Sequence, residues 1–182
     1  RADDLEALRR SGMPEAIHAA WPDADVLLAE VRLGNYMQGR APERLHAEVI
    51  APARERGGYR EVWLAGASMG GMGVLMYDRL HPGEMDGLVL LAPYLGDASL
   101  LREIGDAGGV AQWNAGPEQP VNADNWQREM WRHIQRWSRN PDEASRVWLA
   151  YGDRDRLRKA MPLLAPALAQ DQILMRNGGH AW

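Results

Sequence analysis

Five short apolar runs, rich in branched side chains and separated by stretches of helical periodicity, constrain this chain more than any other feature. They are "ADVLLAEV" (24–31), "EVWLAGAS" (61–68), "MDGLVLLAPYL" (85–95), "SRVWLAYGDRD" (145–155) and "DQILMRNGGH" (171–180). Runs of this length without polar alternation predict strands buried on both faces. Between them, "APERLHAEVIAPARERGG" places Leu45, Val49 and Ala53 in helical step and ends on Gly57 and Gly58, a glycine stop signal. "MGGMGVLMYDRLHP" predicts a helix closed by Pro82, and "KAMPLLAPALAQ" predicts another. "DDLEALRR" and "PEAIHAAW" add short helical turns at the start. Strands alternating with helices call for an α/β fold: a mostly parallel sheet with helices on both faces.

The rhythm breaks between about residues 97 and 142, which predicts a single domain over 1–182 with a helical, cap-like insertion there. Within it, "DNWQREMWRHIQRWSRN" puts Trp126, Met130, Ile134 and Trp137 on one helical face. Four of the eight tryptophans fall between residues 113 and 137. Two of them, Trp126 and Trp137, are expected in the insertion's own core. Trp113 and Trp131 are expected to wall an apolar substrate pocket.

Composition narrows the chemistry. The 182 residues suffice for one sizeable core, and a net charge of −4 gives no basic footprint for nucleic acid. Basic residues are nearly all arginine, Lys159 being the only lysine, and they are scattered. The absence of cysteine excludes disulfides, thiolate metal sites and cysteine nucleophiles. No apolar run reaches the length of a membrane span, and no His/Asp/Glu motif signals a metal or cofactor. The opening "RADDLEALRR" lacks a signal peptide's apolar core, so a cytoplasmic location is expected unless the native start lies upstream. Oligomeric state is not legible.

One pattern carries chemistry. "GASMG", residues 66–70, fits G-x-S-x-G, with an apolar run before it and a helix after it. In that setting a sharp turn lifts the Ser68 hydroxyl above the sheet edge, and the Met69 N–H points at a developing oxyanion. The glycines two residues either side, Gly66 and Gly70, are expected because a Cβ there would collide with the neighbouring strand or helix. A serine needs a base, usually a histidine held by a carboxylate. His18 and His46 precede the turn on helices, His81 ends a helix, and His133 lies on the inserted helix. His180, in "RNGGHAW" after the last strand, is the one expected at the same edge as Ser68. "AYGDRDRL" offers Asp153 and Asp155 as the carboxylate, and on the residues alone both stay open.

Four segments in order, "GASMGG", "GLVLLAPYLGD", "YGDRDRL" and "GGHAW", resemble the α/β-hydrolase superfamily, in particular small bacterial serine esterases. The resemblance covers about residues 24–95 and 146–182. It implies a Ser-His-Asp triad acting on a small-molecule acyl ester or thioester through an acyl-enzyme. It also implies that the acid sits in a G-x-x-D pattern, which selects Asp155 over Asp153. The chain departs from the family in two ways. An earlier strand whose exit loop carries a second oxyanion donor is not found between the first two runs, and only two residues follow His180. A fragment of a longer chain is therefore expected. A catalytically silent scaffold and an acyltransferase using the same residues are the other readings.

Overall fold

The computed structural model describes residues 5–180. Asp3 and Asp4 of the first expected helix, and Ala181 and Trp182 of the last motif, lie outside them. The described elements are α1 (Leu5–Arg10), α2 (Met13–Ala20), α3 (Leu33–Met37), α4 (Ala41–Leu45), a π-helical turn (His46–Ile50), α5 (Ala51–Arg56), β1 (Trp63–Ala67) and α6 (Met69–Leu80). They continue through β2 (Gly87–Leu91), α7 (Ala98–Asp106), α8 (Trp126–Arg139), α9 (Pro141–Ala144), β3 (Val147–Gly152), α10 (Met161–Leu164) and β4 (Ile173–Arg176).

The four strands form one sheet in sequence order, every pair parallel. Parallel neighbours need a crossover after each strand, and α6, α8 and α10 lie in those crossovers. The register sorts side chains into two faces. One carries Leu64, Leu88 and Val147 in one row, and Leu90, Leu149 and Ile173 in the next. This face is the core side, closed by Met72, Leu75, Tyr77, Ile104, Met130, Ile134, Trp137, Met161 and Leu164. The other face carries Trp63, Ala65, Val89, Trp148 and Leu174, and there Trp148 and Leu174 are 41% and 46% exposed. At its β1 end, Trp63 crosses Gly87, where a Cβ would run into the indole, and meets Trp21 at a ring distance of 5.5 Å.

Two expected elements take another form. Residues 24–31 show the alternating burial of a strand but join no ladder. A strand exists only through its partner's hydrogen bonds, and among the described residues none lies beside β1 on its outer edge. The expected helix over 159–170 is broken into 3₁₀ turns flanking α10, because Pro162 and Pro166 interrupt the amide ladder. The helix read over 41–56 does run as one rod, distorted by its π turn and stopped by Gly57 at φ 75°.

The inserted helix α8 is buried on much more than one face. Glu129, Trp131, His133 and Gln135 are buried along with Trp126, Met130, Ile134 and Trp137. Gln135 Nε2 donates to the carbonyls of Val110 and Trp113, fixing the loop that precedes α8. Among the described residues no helix is long and apolar enough to cross a membrane.

Candidate active site

β1 ends at Ala67 and α6 begins at Met69, so the whole reversal from strand to helix falls on Ser68. Ser68 takes φ 53° and ψ −114°, a conformation L-residues rarely adopt, and its strain is held by neighbours on both sides. Its N–H donates to Leu91 O at 2.9 Å and its C=O accepts from Tyr94 N at 2.8 Å, so β2 and its exit loop clamp the turn. The glycines around it are not equivalent. A Cβ on Gly66 would run into the Gly70 carbonyl, and one on Gly71 would come within 2.8 Å of Pro93 Cβ. A Cβ on Gly70 would meet nothing within 4 Å. The steric demand expected of both glycines flanking the serine therefore falls on Gly66 and Gly71.

The loops that carry Asp155 and His180 are built together. A Cβ on Gly152 would run into the Gly178 carbonyl, so the exits of β3 and β4 touch backbone to backbone. Asp153 N donates to Arg176 O at 2.8 Å, Arg154 N to Gly178 O at 2.9 Å, and Gly178 N to Asp153 Oδ1 at 2.9 Å. Asp153 is thus occupied in bracing the histidine loop. Asp155, fully buried, accepts from Leu157 N through Oδ1 at 2.7 Å and turns Oδ2 to His180 Nδ1 at 2.8 Å. On the other side of the ring, His180 Nε2 lies 3.0 Å from Ser68 Oγ. The imidazole is 14% exposed. A carboxylate on Nδ1 selects the tautomer with its proton there, leaving the Nε2 lone pair for the serine hydroxyl. Met69 opens α6, so its N–H is among the first-turn donors that have no intrahelical acceptor.

The loop after β2 completes the edge, and its role was not read from the sequence although "APYLGD" was in view. Ala92 also has positive φ, 40°, so the two residues at the C-terminal ends of β1 and β2 both store strain. The Tyr94 hydroxyl donates to Asp97 Oδ1 at 2.7 Å; burial, then this bond, raises its pKa to about 12. The Tyr94 and Gln127 hydrogen bonds in turn hold the Asp97 carboxyl below its ordinary value. Gln127 lies on α8, so the insertion is tied directly to the loop that clamps Ser68.

Trp113 and Trp131, expected to wall a pocket, are placed in the interior. They are 3% and 0% exposed, and both indole N–H groups are used internally: Trp113 donates to Glu103 Oε1 and Trp131 to Leu95 O. The burial of α8 on several sides draws Trp131 into the common core, and Trp113 joins it from the loop before α8. Among the described residues, a cleft of about 360 Å³ is lined by Asn114–Pro117, Gln119, Asn125, Arg128 and Glu129, without any of the Ser68 set. Among the described residues, the only group of His, Cys, Asp and Glu with metal-ligand spacing is His46, His81 and Glu84, away from that cleft. His81 caps the far end of α6, about 20 Å along the helix from Ser68 at 1.5 Å per residue.

The profile of the alpha/beta hydrolase fold family matches residues 23–173. Among solved structures, the chain is similar to a ferulic acid esterase, with 18% identity over 77% of this chain and 54% of that one, at a TM-score of 0.47. It is similar to a variant of Arabidopsis thaliana SOBER1, with 18% identity over 84% of this chain and 60% of that one, at a TM-score of 0.44. A monoacylglycerol lipase of Paleococcus ferrophilus gives 18% identity over 77% of this chain and 66% of that one, at a TM-score of 0.42. The chain thus spans between 54% and 66% of the length of these structures. No curated protein matches it in sequence.

Proposed function

The chain belongs to the α/β-hydrolase family, and from that premise we propose that it is a serine hydrolase cleaving a small carboxylic ester or thioester through an acyl-enzyme. One observation carries this reading: the continuous path Ser68 Oγ to His180 Nε2 at 3.0 Å and His180 Nδ1 to Asp155 Oδ2 at 2.8 Å, at the strained end of β1. Ser68 Oγ attacks the carbonyl carbon as its proton passes to His180 Nε2. The Met69 N–H steadies the tetrahedral oxyanion, a donor of a kind worth about 10²–10³-fold in rate. Collapse expels the alcohol or thiol, which leaves with the proton from Nε2. Water, deprotonated by the same nitrogen, then releases the acid and restores Ser68. Asp155 keeps Nδ1–H in place and stabilises the imidazolium without being protonated itself.

The test is Ser68→Ala against p-nitrophenyl acetate and a fluorophosphonate probe. Turnover is expected to fall by at least about 10⁴-fold and labelling to vanish. Labelling that survives the substitution refutes the assignment of the nucleophile. Inactivity of the unaltered chain toward both reagents favours the silent-scaffold reading instead.

A further inference from the structure

The chain's net charge is −4, yet cations gather at the edge where Ser68, Asp155 and His180 meet. The stretches 152–160 and 174–180, which carry Asp155 and His180, hold five of them: Arg154, Arg156, Arg158, Lys159 and Arg176. Four fall within six consecutive residues around Asp155, and all five are exposed. Asp153 and Asp155 are the only carboxylates in the same stretches. The turn from β1 into α6 carries no charged residue at all, from Trp63 to Tyr77.

Hydrogen bonds fix where this charge stands. Arg154 N donates to Gly178 O at 2.9 Å and Arg154 Nη2 to Asn177 Oδ1 at 2.7 Å, so that guanidinium lies across the loop leading to His180. Arg156 follows Asp155 directly in the chain. Arg158 N donates to Asp155 O at 3.1 Å, and Arg158 Nη1 reaches the same oxygen at 3.5 Å, which folds the side chain back over the acid's own turn. Arg176 ends β4 in register with Gly152. The carboxylates do not cancel this set. Asp155 is fully buried against His180, and Asp153 accepts from Gly178 N with Arg154 at 3.8 Å. Asp97, at the exit of β2, accepts from Tyr94 and Gln127. Among the described residues, the side chains of Arg156, Lys159 and Arg176 have no hydrogen-bonded or ion-paired partner. Like charges crowded in this way repel one another, and an anion held among them relieves that repulsion.

We propose that the substrate is an acyl ester or thioester bearing an anionic group, a carboxylate or a phosphate, and that Arg156, Lys159 and Arg176 draw it to Ser68. This rests on the serine-hydrolase reading above and adds the substrate's charge to it. The attraction reaches about 10 Å at 0.1 M salt, so it acts on the approaching ester before any one side chain touches it. Where a guanidinium does meet the anion, its planar fork matches either oxygen group. A neutral ester of the same length gains nothing from these cations.

The test compares three p-nitrophenyl esters with the same leaving group and acyl chains of matched length: the hexanoate, the half-ester of adipic acid and the ester of 5-phosphonopentanoic acid. The remote end of the acyl chain is a methyl, a carboxylate or a phosphonate, too far from the carbonyl to change its reactivity. In about 20 mM salt, kcat/KM for the better anionic ester is expected to exceed that for the hexanoate by about tenfold. Raising sodium chloride to about 500 mM should bring the ratio close to one. The phosphonate leading identifies a phosphate-bearing substrate, and the adipate leading a carboxylate-bearing one. Arg156→Gln, Lys159→Gln and Arg176→Gln should each lower the anionic-to-neutral ratio by about two- to threefold, and Arg44→Gln should leave it unchanged. The ratio is unaffected by any loss of folded protein, and the salt series needs no variant. Hexanoate turnover with no anionic preference, or a preference that salt does not erode, overturns the proposal while the hydrolase reading stands. Inactivity toward all three esters removes both.

Discussion

Asp153 and Asp155 stand two residues apart in one acidic turn, and only their partners separate them. Asp155 is buried against His180, whereas Asp153 spends its carboxylate on Gly178 N. Sequence alone left this choice open, since both lie in the same loop, and the resemblance to a family pattern was needed to select one. The two substitutions should therefore act differently. Asp155→Asn reverses the tautomer preference of His180 and should lower kcat by roughly 10⁴-fold with the fold intact. Asp153→Asn keeps an oxygen able to accept from Gly178 N and should cost less than about tenfold; comparable losses in ester turnover would mean that the acid is misassigned. Ser68 permits a second test, of strain rather than chemistry. At φ 53° any Cβ is costly, by about 1–3 kcal/mol, so Ser68→Ala keeps the strain and Ser68→Gly removes it. Glycine gives back about 0.5–1 kcal/mol through its freer unfolded chain. Ser68→Gly should still unfold at higher urea than Ser68→Ala, both being inactive; the reverse order would show that the turn is relaxed.

At the scale of elements, the join of β1 to α6 depends on which glycines face backbone. Gly66→Ala and Gly71→Ala each force a Cβ against a carbonyl or against Pro93, neither of which is a flexible side-chain tip. Each should cost several kcal/mol, in the manner of an overpacked core. Gly70→Ala opens onto free space inside a helix and should change stability by less than about 1 kcal/mol, in the favourable direction where helix propensity dominates. Urea denaturation of the three variants decides it, and a Gly70→Ala protein as damaged as the other two would contradict the close approach described. The motif in the sequence marks Gly66 and Gly70 alike, because a pattern of letters records spacing and not direction. The same limit explains the segment over 24–31. Its composition is that of a strand, and its burial alternates like one, but pairing belongs to two segments and not to either alone. β1 to β4 were legible because each has its neighbour in the described chain. The helix over 159–170 failed for a local reason that was in plain view: Pro162 and Pro166 remove amide donors from its interior.

Across the whole molecule, what escaped the sequence is the way the insertion joins the rest. A tryptophan-rich helix set apart by loops reads as a cap with a small core of its own, Trp131 alone of its indoles being expected at a pocket. The structure instead gives α8 a share of the core that α6 and the sheet supply. Its deepest attachment is polar and links residues 55 and 68 positions apart. His133 Nε2 lies 2.7 Å from Asp78 Oδ2 on α6, and Arg146, leading into β3, donates to both Asp78 oxygens at 2.7 and 2.9 Å. Asp78 and His133 are buried, and among the described residues His133 Nδ1 has no hydrogen-bond partner, so the ring is held through Nε2 alone. No periodicity could announce this cluster, since each member looks like an ordinary polar residue on its own helix or loop. Its worth is conditional: a buried set of charges is weak evidence of net stability, but breaking it from one side strands the others. Asp78→Ala leaves Arg146 and His133 without their acceptor and should lose about 3–5 kcal/mol in urea denaturation. The exposed pair Arg44–Glu48, four residues apart on one helical rod, provides the comparison, and Glu48→Ala should lose no more than about 0.5 kcal/mol. If the two losses prove similar, the cluster is not what fastens the insertion to the sheet, and the apolar side of α8 carries that attachment with the Trp131–Leu95 and Gln127–Asp97 bonds. If the large loss is found, Asp78→Ala should also loosen the Gln127–Asp97 tie to the serine loop, and ester turnover should fall at temperatures where the chain is still folded.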